Sequence, residues 1–200
     1  MKNLVPLGLA LSLCACSTGL PIKNYTNDPV ARGQFTLCHG YSCTHKSKAG
    51  FAPREWNSVA ALFKGRVNDA PTERSIIARA IARMEEISGA KTGTAQDLPM
   101  AGAFKESDAQ MDCIDETINT THYLGLLQDA GLLRFHEVAE PTHRGYLLDG
   151  RWPHNTAVMR EKDGGKLWAV DAFYRANGEE PYIVPREQWL AGWRPAGANQ

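Results

Sequence analysis

Apolar positions in the middle of the chain repeat with the spacing of amphipathic helices. From Pro53, apolar side chains recur at helical spacing until Gly65, which predicts a first helix. A longer pattern follows, with Asp69 as a possible N-cap and Pro71 in the first turn. Its apolar stripe consists of Ile76, Ile77, Ala80, Ile81, Met84 and Ile87. One apolar face of this kind predicts a helix packed on the core, with Gly89 as its end.

A third helix is predicted after a loop over residues 90–111. Asp112 is a good N-cap, and Asp115 can complete a capping-box exchange, so Cys113 falls in the first turn. The inward side of this helix carries Ile114, Ile118, Thr121, Leu124 and Leu127. The pattern ends near Gly131. A loop this long in a compact domain is more often functional than idle, and this one leads directly to Cys113.

The carboxyl-terminal third of the chain has the alternating pattern of strands. Strands are predicted over residues 132–138, 154–161, 166–174 and 181–185, and a short final helix follows the last of them. Helices grouped before such a run of strands indicate an α+β domain with helices packed on an antiparallel sheet.

The strongest turn signal is Asp163-Gly164, which lies between two of these strands. A two-residue turn there would place His154 and Asp171 on one face of the sheet as diagonal neighbours, within reach of a hydrogen bond. The alternative is a histidine at a loop edge and an acid at a strand end. Because Asp171 stands in an apolar run, we expect it to be buried and to need a partner.

The amino terminus has the pattern of a signal peptide over residues 1–15, with Lys2 before an apolar run of about a dozen residues. That run is shorter than the roughly 18 residues of a membrane-spanning helix. The segment Leu13-Cys14-Ala15-Cys16 resembles the bacterial lipobox, which implies lipid on Cys16. Ser17 implies sorting to the periplasmic side of the outer membrane in a Gram-negative cell. The alternative is a secreted protein cleaved near Ala15.

The composition limits the classes of protein to which the processed chain can belong. The chain has 22 basic and 22 acidic side chains, and the leader carries only Lys2, so the processed balance is about minus one. This balance gives no basis for nucleic-acid binding. Residues 16–50 are polar and lack sustained periodicity, which predicts a lipid tether and collar. Residues 51–200 then form one domain.

Three cysteines remain beyond the lipid site. Cys38 and Cys43 flank a turn-prone segment and are expected to pair as a disulfide in an oxidising compartment, which leaves Cys113 as a free thiol. Two alternatives stay open, namely two unpaired thiols or a metal site that adds His39 and His45. The spacing matches no standard zinc motif, and neither a metal nor a cofactor is expected.

Cys113 has two interpretations. At a helix start, the dipole favours the thiolate by roughly 0.3 to 1 kcal/mol. The carboxylates of Asp112, Asp115 and Glu116 act in the opposite direction and raise a thiol pKa. A reactive Cys113 therefore needs a cationic partner. The alternative is a small buried apolar residue.

The order of these parts over roughly residues 71–185 resembles the transglutaminase-like branch of the papain-like cysteine enzymes: a helix beginning with cysteine, a strand, a strand beginning with histidine, and a neighbouring strand with aspartate. The resemblance implies a papain-like α+β fold. It also implies Cys113 as nucleophile, His154 as base and Asp171 as the residue that orients the imidazole. The aromatic residue common beside the family's cysteine is absent, so Gln110 or a helix-start amide is the candidate oxyanion donor.

The resulting hypothesis is an envelope cysteine hydrolase or acyl transferase that acts on an amide bond of a peptide, a protein or a peptidoglycan peptide, and that meets the membrane through its lipid anchor. Two other classes compete with it. One is an inactive lipoprotein that uses the same fold for binding or assembly. The other is a thiol redox protein that uses Cys38 and Cys43, although the pair lacks the Cys-x-x-Cys spacing.

Overall fold

The computed structural model describes residues 20–65, 67–101, 107–145 and 152–198. The predicted signal peptide, residues 1–15, and the predicted lipid site at Cys16 lie outside these ranges. None of the described helices has the length and apolar character needed to cross a bilayer.

The helices and the antiparallel strands are grouped along the chain and do not alternate one by one, which confirms the predicted α+β class. The strands are β1 Phe35–His39, β2 His45–Ala49, β3 His136–Arg144, β4 His154–Glu161, β5 Leu167–Asp171 and β6 Tyr182–Pro185. The helices are α1 Pro53–Ala60, α2 Ala70–Thr92, α3 Cys113–Asp129 and α4 Arg186–Leu190. Strands β1 and β2 form one sheet, and β3-β4-β5-β6 form the other, each strand beside its sequence neighbour.

Helix α2 begins where the sequence predicts and ends later. Asp69 caps it by accepting a hydrogen bond from the Thr72 amide at 2.7 Å. The predicted end at Gly89 is wrong, because the helix continues to Thr92. Gly93, whose φ of 84° is left-handed, is its C-cap. Gly89 instead permits a close approach: a Cβ there would lie 2.6 Å from Oδ1 of Asn177. This glycine is explained by packing, which local sequence does not show.

The predicted register of the β4–β5 hairpin is confirmed by the pairing of Ala157 with Val170. The loop itself is longer than the predicted two-residue turn. The Glu161 amide donates to the Lys166 carbonyl at 2.8 Å, which leaves four residues in the loop. The two consecutive glycines in the loop, Gly164 and Gly165, both have positive φ, so the chain reverses without changing which side chains share a face.

The predicted strand over residues 132–138 is wrong in its bounds, because β3 begins at His136. The reason is a carboxylate from α2. Glu73 is fully buried and accepts hydrogen bonds from the backbone amides of Arg134, Phe135 and His136. These three amides therefore donate to the Glu73 side chain and not to the backbone of a neighbouring strand.

Part of the predicted tether and collar belongs to the folded core. Within residues 16–50, β1 and β2 form a hairpin in which Phe35 and Leu37 are buried in the main apolar cluster. Every residue of β1 is buried, whereas β2 is largely exposed. The segment looks polar in sequence because one strand of the pair faces solvent.

The main core lies between α1, α2 and α3 on one side and the four-stranded sheet on the other. Ile77, Ile81 and Met84 of α2 are buried, as the apolar stripe predicts, and so are Leu124 and Leu127 of α3. This packing holds the amino terminus of α3 against β4, which is where the candidate site is found.

Candidate functional site

The first turn of α3 is held by a reciprocal cap, as predicted. Oδ1 of Asp112 accepts the amides of Ile114 and Asp115 at 2.9 Å each. The Asp115 carboxylate accepts the Asp112 amide at 3.2 Å. The exchange fixes the direction in which the chain enters the helix, and Cys113 is the first helical residue.

The β1–β2 turn is bound to the same helix start. Tyr41, Ser42 and Cys43 all have positive φ, which is uncommon for residues other than glycine. Their amides donate to carboxylates of α3: Tyr41 and Cys43 to Asp115, and Ser42 to Asp112. These hydrogen bonds stabilise the left-handed turn and explain why two acids flank the cysteine. Burial, and next the charge of Asp112, raise the pKa of Asp115 to about 8.

Cys38 and Cys43 form the predicted disulfide, with an S–S distance of 1.98 Å. Their sulfurs lie close to the Asp115 carboxylate, but sulfurs joined in a disulfide are not thiolates, which are the form of cysteine that binds a metal. Both cysteines are buried, at 0% and 5% exposure, so a redox partner has no direct access to them. The pair therefore links β1 to its turn and holds that turn beside α3.

Cys113 is a free thiol whose sulfur contacts β4. The Asn155 side-chain amide donates to it at 3.7 Å. Cys113 is half-buried, and burial of its thiol, followed by the charge of Asp112, raises the pKa of the thiol to about 12. Hydrogen bonds from Asn155 act in the opposite direction. At neutral pH the resting sulfur is therefore protonated.

His154 and Asp171 form the couple that the hairpin register predicts. Nε2 of His154 lies 2.8 Å from Oδ2 of Asp171, and both residues are buried. The Trp189 indole donates to the same carboxylate oxygen at 2.6 Å. The imidazole is enclosed by aromatic rings at centroid distances of 5.0 Å to Phe173, 5.4 Å to Tyr174 and 5.3 Å to Trp189. An Asp–His pair in such a dry environment has a fixed tautomer and orientation.

The structure joins His154 to Asp171 and places Cys113 against the strand that begins with His154, without a direct bond between the thiol and the imidazole. His154 directly precedes Asn155 on β4, so the two side chains lie on opposite faces of that strand, and Asn155 is the one that holds the Cys113 sulfur. Among the described residues, the sulfur and the His154 ring share no hydrogen bond. Catalytic hydrogen bonds are often long before substrate binds.

Asn155 and His143 are site residues that sequence reasoning did not single out. His143 lies in β3 opposite Asn155, and its Nδ1 is 3.0 Å from Oδ1 of Asn155. Its Nε2 lies 2.8 Å from the Gly145 carbonyl and must donate there. The Asn155 side chain therefore links the Cys113 sulfur to the His143 ring.

Of the predicted oxyanion donors, the Gln110 side chain and two of the helix-start amides are used elsewhere. The Gln110 side chain donates to the Gln96 carbonyl at 2.8 Å and accepts from the Leu98 amide at 3.1 Å, so it braces the loop before α3. The amides of Ile114 and Asp115 are taken by Asp112. In the resting structure neither group points freely at a reacting carbonyl.

Buried acids lie beneath the site, between α2 and α3. Glu85 and Glu116 are buried, and Asp97 of the intervening loop is hydrogen-bonded to Glu116. Burial, with repulsion from Asp97, raises the pKa of Glu85 to about 8. Burial, and then repulsion from Glu85, raises the pKa of Glu116 well above its ordinary value. Oε1 of Glu85 has no hydrogen-bond partner among the described residues.

His136 and His122 are buried histidines that bond to core partners. Nδ1 of His136 is 2.8 Å from the Glu73 carboxylate, and Nδ1 of His122 lies 3.1 Å from the Thr36 carbonyl. A groove of about 520 Å³ lies elsewhere, between Trp56 and Leu126. Its lining residues include no cysteine, serine, threonine or histidine, so side-chain chemistry places the candidate site at α3 and β4.

Comparison with protein-family models, with curated proteins and with solved structures finds no match for this chain. The fold and the site thus define the class of protein as far as α+β, with a cysteine at a helix start beside a buried His–Asp pair.

Proposed function

We propose that the protein is a cysteine hydrolase or acyl transferase of the bacterial envelope, with a transglutaminase-like variant of the papain-like fold, acting on an amide bond. The observation that carries the proposal is the buried His154–Asp171 hydrogen bond of 2.8 Å, in a protein whose free thiol, Cys113, contacts the strand that begins with His154. The expected substrates are peptides, proteins or peptidoglycan peptides. Lipid on Cys16 would hold the enzyme at the periplasmic side of the outer membrane.

The roles of the two His154 ring nitrogens follow from which of them is hydrogen-bonded to Asp171. Asp171 binds Nε2 of His154, so Nε2 carries the proton and Nδ1 keeps the lone pair. Nδ1 makes no hydrogen bond to any described residue and is the nitrogen that can accept the thiol proton. Asp171 would then stabilise the imidazolium that forms.

The reaction is written with Cys113 and His154 exchanging one proton. The thiol proton passes to Nδ1, and the thiolate attacks the amide carbonyl carbon. The C–N bond breaks as the amine leaves with the proton from His154, and an acyl-thioester remains on the sulfur. Water or a second amine then attacks the thioester and releases Cys113. Because the resting thiol pKa is about 12, thiolate would form together with this proton transfer.

A second function has a specific observation in its favour. Burial and the Asp112 charge oppose ionisation of Cys113, and the thiol bonds to an amide where an imidazole is required. Both features suit an inactive lipoprotein that uses the fold for binding or assembly. The two functions differ in whether His154 controls the ionisation of Cys113.

The test is the pH dependence of Cys113 alkylation by iodoacetamide. If His154 accepts the thiol proton, the wild-type profile will show an apparent pKa well below 12, and His154→Ala will return it to the high value set by burial. Each unit of pKa changes the thiolate fraction about tenfold. Asp171→Asn should weaken the activation through the wrong tautomer or orientation.

His45→Ala is the matched control, because this exposed histidine lies on β2 and pairs with Asp108. It should leave the alkylation profile unchanged. All variants must show wild-type circular dichroism, since a buried Asp–His pair also contributes to folding. Folded His154→Ala and Asp171→Asn proteins with the wild-type profile would rule out the triad and favour the binding lipoprotein.

A further inference from the structure

A small basic pocket lies beside the His154–Asp171 pair. It has a volume of about 210 Å³ and is lined by Arg144, Trp152 and Arg194 together with Ala191 and Gly192. The Trp152 side chain is 60% exposed, which is unusual for a large aromatic residue in this protein. Two guanidinium groups and one exposed indole at a concave surface are the parts of an anion-binding subsite with an apolar wall.

The Arg144 guanidinium is built into the protein. The residue is only 8% exposed, and its nitrogens donate to the carbonyls of Trp189 and Trp193 and to the Tyr174 hydroxyl. It also stacks over the Trp189 ring at 4.1 Å. These partners are all neutral, so they fix its position without cancelling its charge.

The charge of the pocket is positive. Within the described ranges, neither Arg144 nor Arg194 forms an ion pair with a carboxylate, and burial, together with repulsion from Arg194, lowers the pKa of Arg144. Asp171 is the carboxylate that acts on Arg144, and it bonds to His154 and Trp189. Arg144 and Arg194 carry two positive charges and Asp171 one negative charge, so the net charge at the pocket is about plus one. This charge matches a monoanion better than a dianion.

The pocket is a neighbour of the proposed reaction centre. Arg144 is the register partner of His154 across the β3–β4 ladder. The Trp189 ring contacts both of them, at 5.3 Å from the imidazole and 4.1 Å from the guanidinium. One indole therefore separates the pocket from the base, a distance that a single amino-acid residue of a substrate can span.

We propose that this pocket binds a free carboxylate of the amide substrate, so that the preferred substrates are peptides with an unblocked carboxyl group close to the bond attacked. The inference rests on the proposed function for the reaction, and on the pocket alone for the binding. Arginine offers paired donors that fit the two oxygens of a carboxylate, and the Trp152 indole would contact the adjoining side chain.

The test measures binding without turnover, in the full chain carrying Cys113→Ala. The probes are N-acetyl-alanyl-alanine and its carboxyl-terminal amide, titrated against tryptophan fluorescence and checked by calorimetry. We expect the free acid to bind about tenfold more tightly than the amide, as a charge-assisted contact in a partly desolvated pocket allows. Arg194→Gln should remove most of that preference, because Arg194 is exposed and tolerates substitution.

Arg160→Gln is the matched control, since Arg160 lies on β4 and pairs with Glu137 outside the pocket. It should keep the preference. Equal affinity for acid and amide, no saturable binding of the acid, or a preference that survives Arg194→Gln would each overturn the proposal. Tighter binding of inorganic phosphate than of the peptide acid would also overturn it, because the pocket would then favour a dianion.

The outcomes separate this inference from the proposed function. If the carboxylate preference depends on Arg194 but the alkylation of Cys113 does not depend on His154, the binding subsite is supported and the proposed enzyme is ruled out. If the alkylation of Cys113 depends on His154 but the protein has no carboxylate preference, the enzyme is supported and the subsite is ruled out.

Discussion

At the scale of single residues, Asn155 acts directly on the ionisation of Cys113. Asn155 donates to the sulfur and bonds to His143, so one amide connects the thiol to a second imidazole. Its hydrogen bonds lower the thiol pKa, whereas burial and Asp112 raise it by more. Asn155 is therefore the residue whose removal most directly reports how the sulfur is held.

Replacing Asn155 by Ala should raise the Cys113 pKa further and slow its alkylation at pH 8 several-fold, because the sulfur loses a donor that favours the thiolate. Asn155→Asp should slow it more, since a carboxylate would face the sulfur. Asn57→Ala, at an exposed position of α1, is the control. Faster alkylation of a folded Asn155→Ala protein would show that the amide shields the sulfur and does not activate it.

At the scale of elements, the β1–β2 hairpin positions the site although its sequence resembles a linker. The hairpin contributes Phe35 and Leu37 to the main core, and its turn binds the start of α3 through Asp112 and Asp115. The disulfide between Cys38 and Cys43 restricts the same turn. The helix that carries Cys113 is thus supported from the amino-terminal side of the domain.

Leu37→Ala should lower the free energy of unfolding by about 2 to 5 kcal/mol, because a fully buried side chain is removed from the core. Denaturant unfolding measures the change. Lys46→Ala, on the exposed strand opposite, should stay within about 0.5 kcal/mol of wild type. If Leu37→Ala has an equally small effect, the hairpin is an appendage and residues 16–50 are a collar after all.

At the scale of the whole molecule, the buried acids between α2 and α3 make stability depend on pH. The folded pKa of Glu85 is about 8, above the value of about 4.3 for an unfolded glutamate. Its neutral form is therefore favoured by folding. The associated stability is fully present below pH 4.3 or so, and it is lost as pH rises towards about 8.

Glu85→Gln should flatten this dependence, because an amide keeps the neutral form at every pH. Over the range from about pH 5 to about pH 8, one such group contributes a slope of up to about 1.4 kcal/mol per pH unit. Urea unfolding at several pH values gives the slope. Glu86→Gln, on the exposed side of the same helix, should keep the wild-type slope. An unchanged slope in Glu85→Gln would mean that Glu85 is ionised in the folded protein.

Local sequence determined those features that depend on periodicity, capping and pairing. The Asp69 and Asp112 caps follow from residue type at a helix start, and the β4–β5 register follows from alternation about one turn. That register is enough to join His154 to Asp171, because diagonal neighbours on one face must meet.

Only the tertiary structure decided what distant groups do to one another. Glu73 shortens the predicted strand from 61 residues away, and Asn177 explains why Gly89 lies inside a helix. Asn155 and His143 become site residues because β3, β4 and α3 meet there. The short-range pattern is visible in the sequence itself. Burial and contacts between distant segments, which set the ionisation of Cys113, exist only in the packed structure.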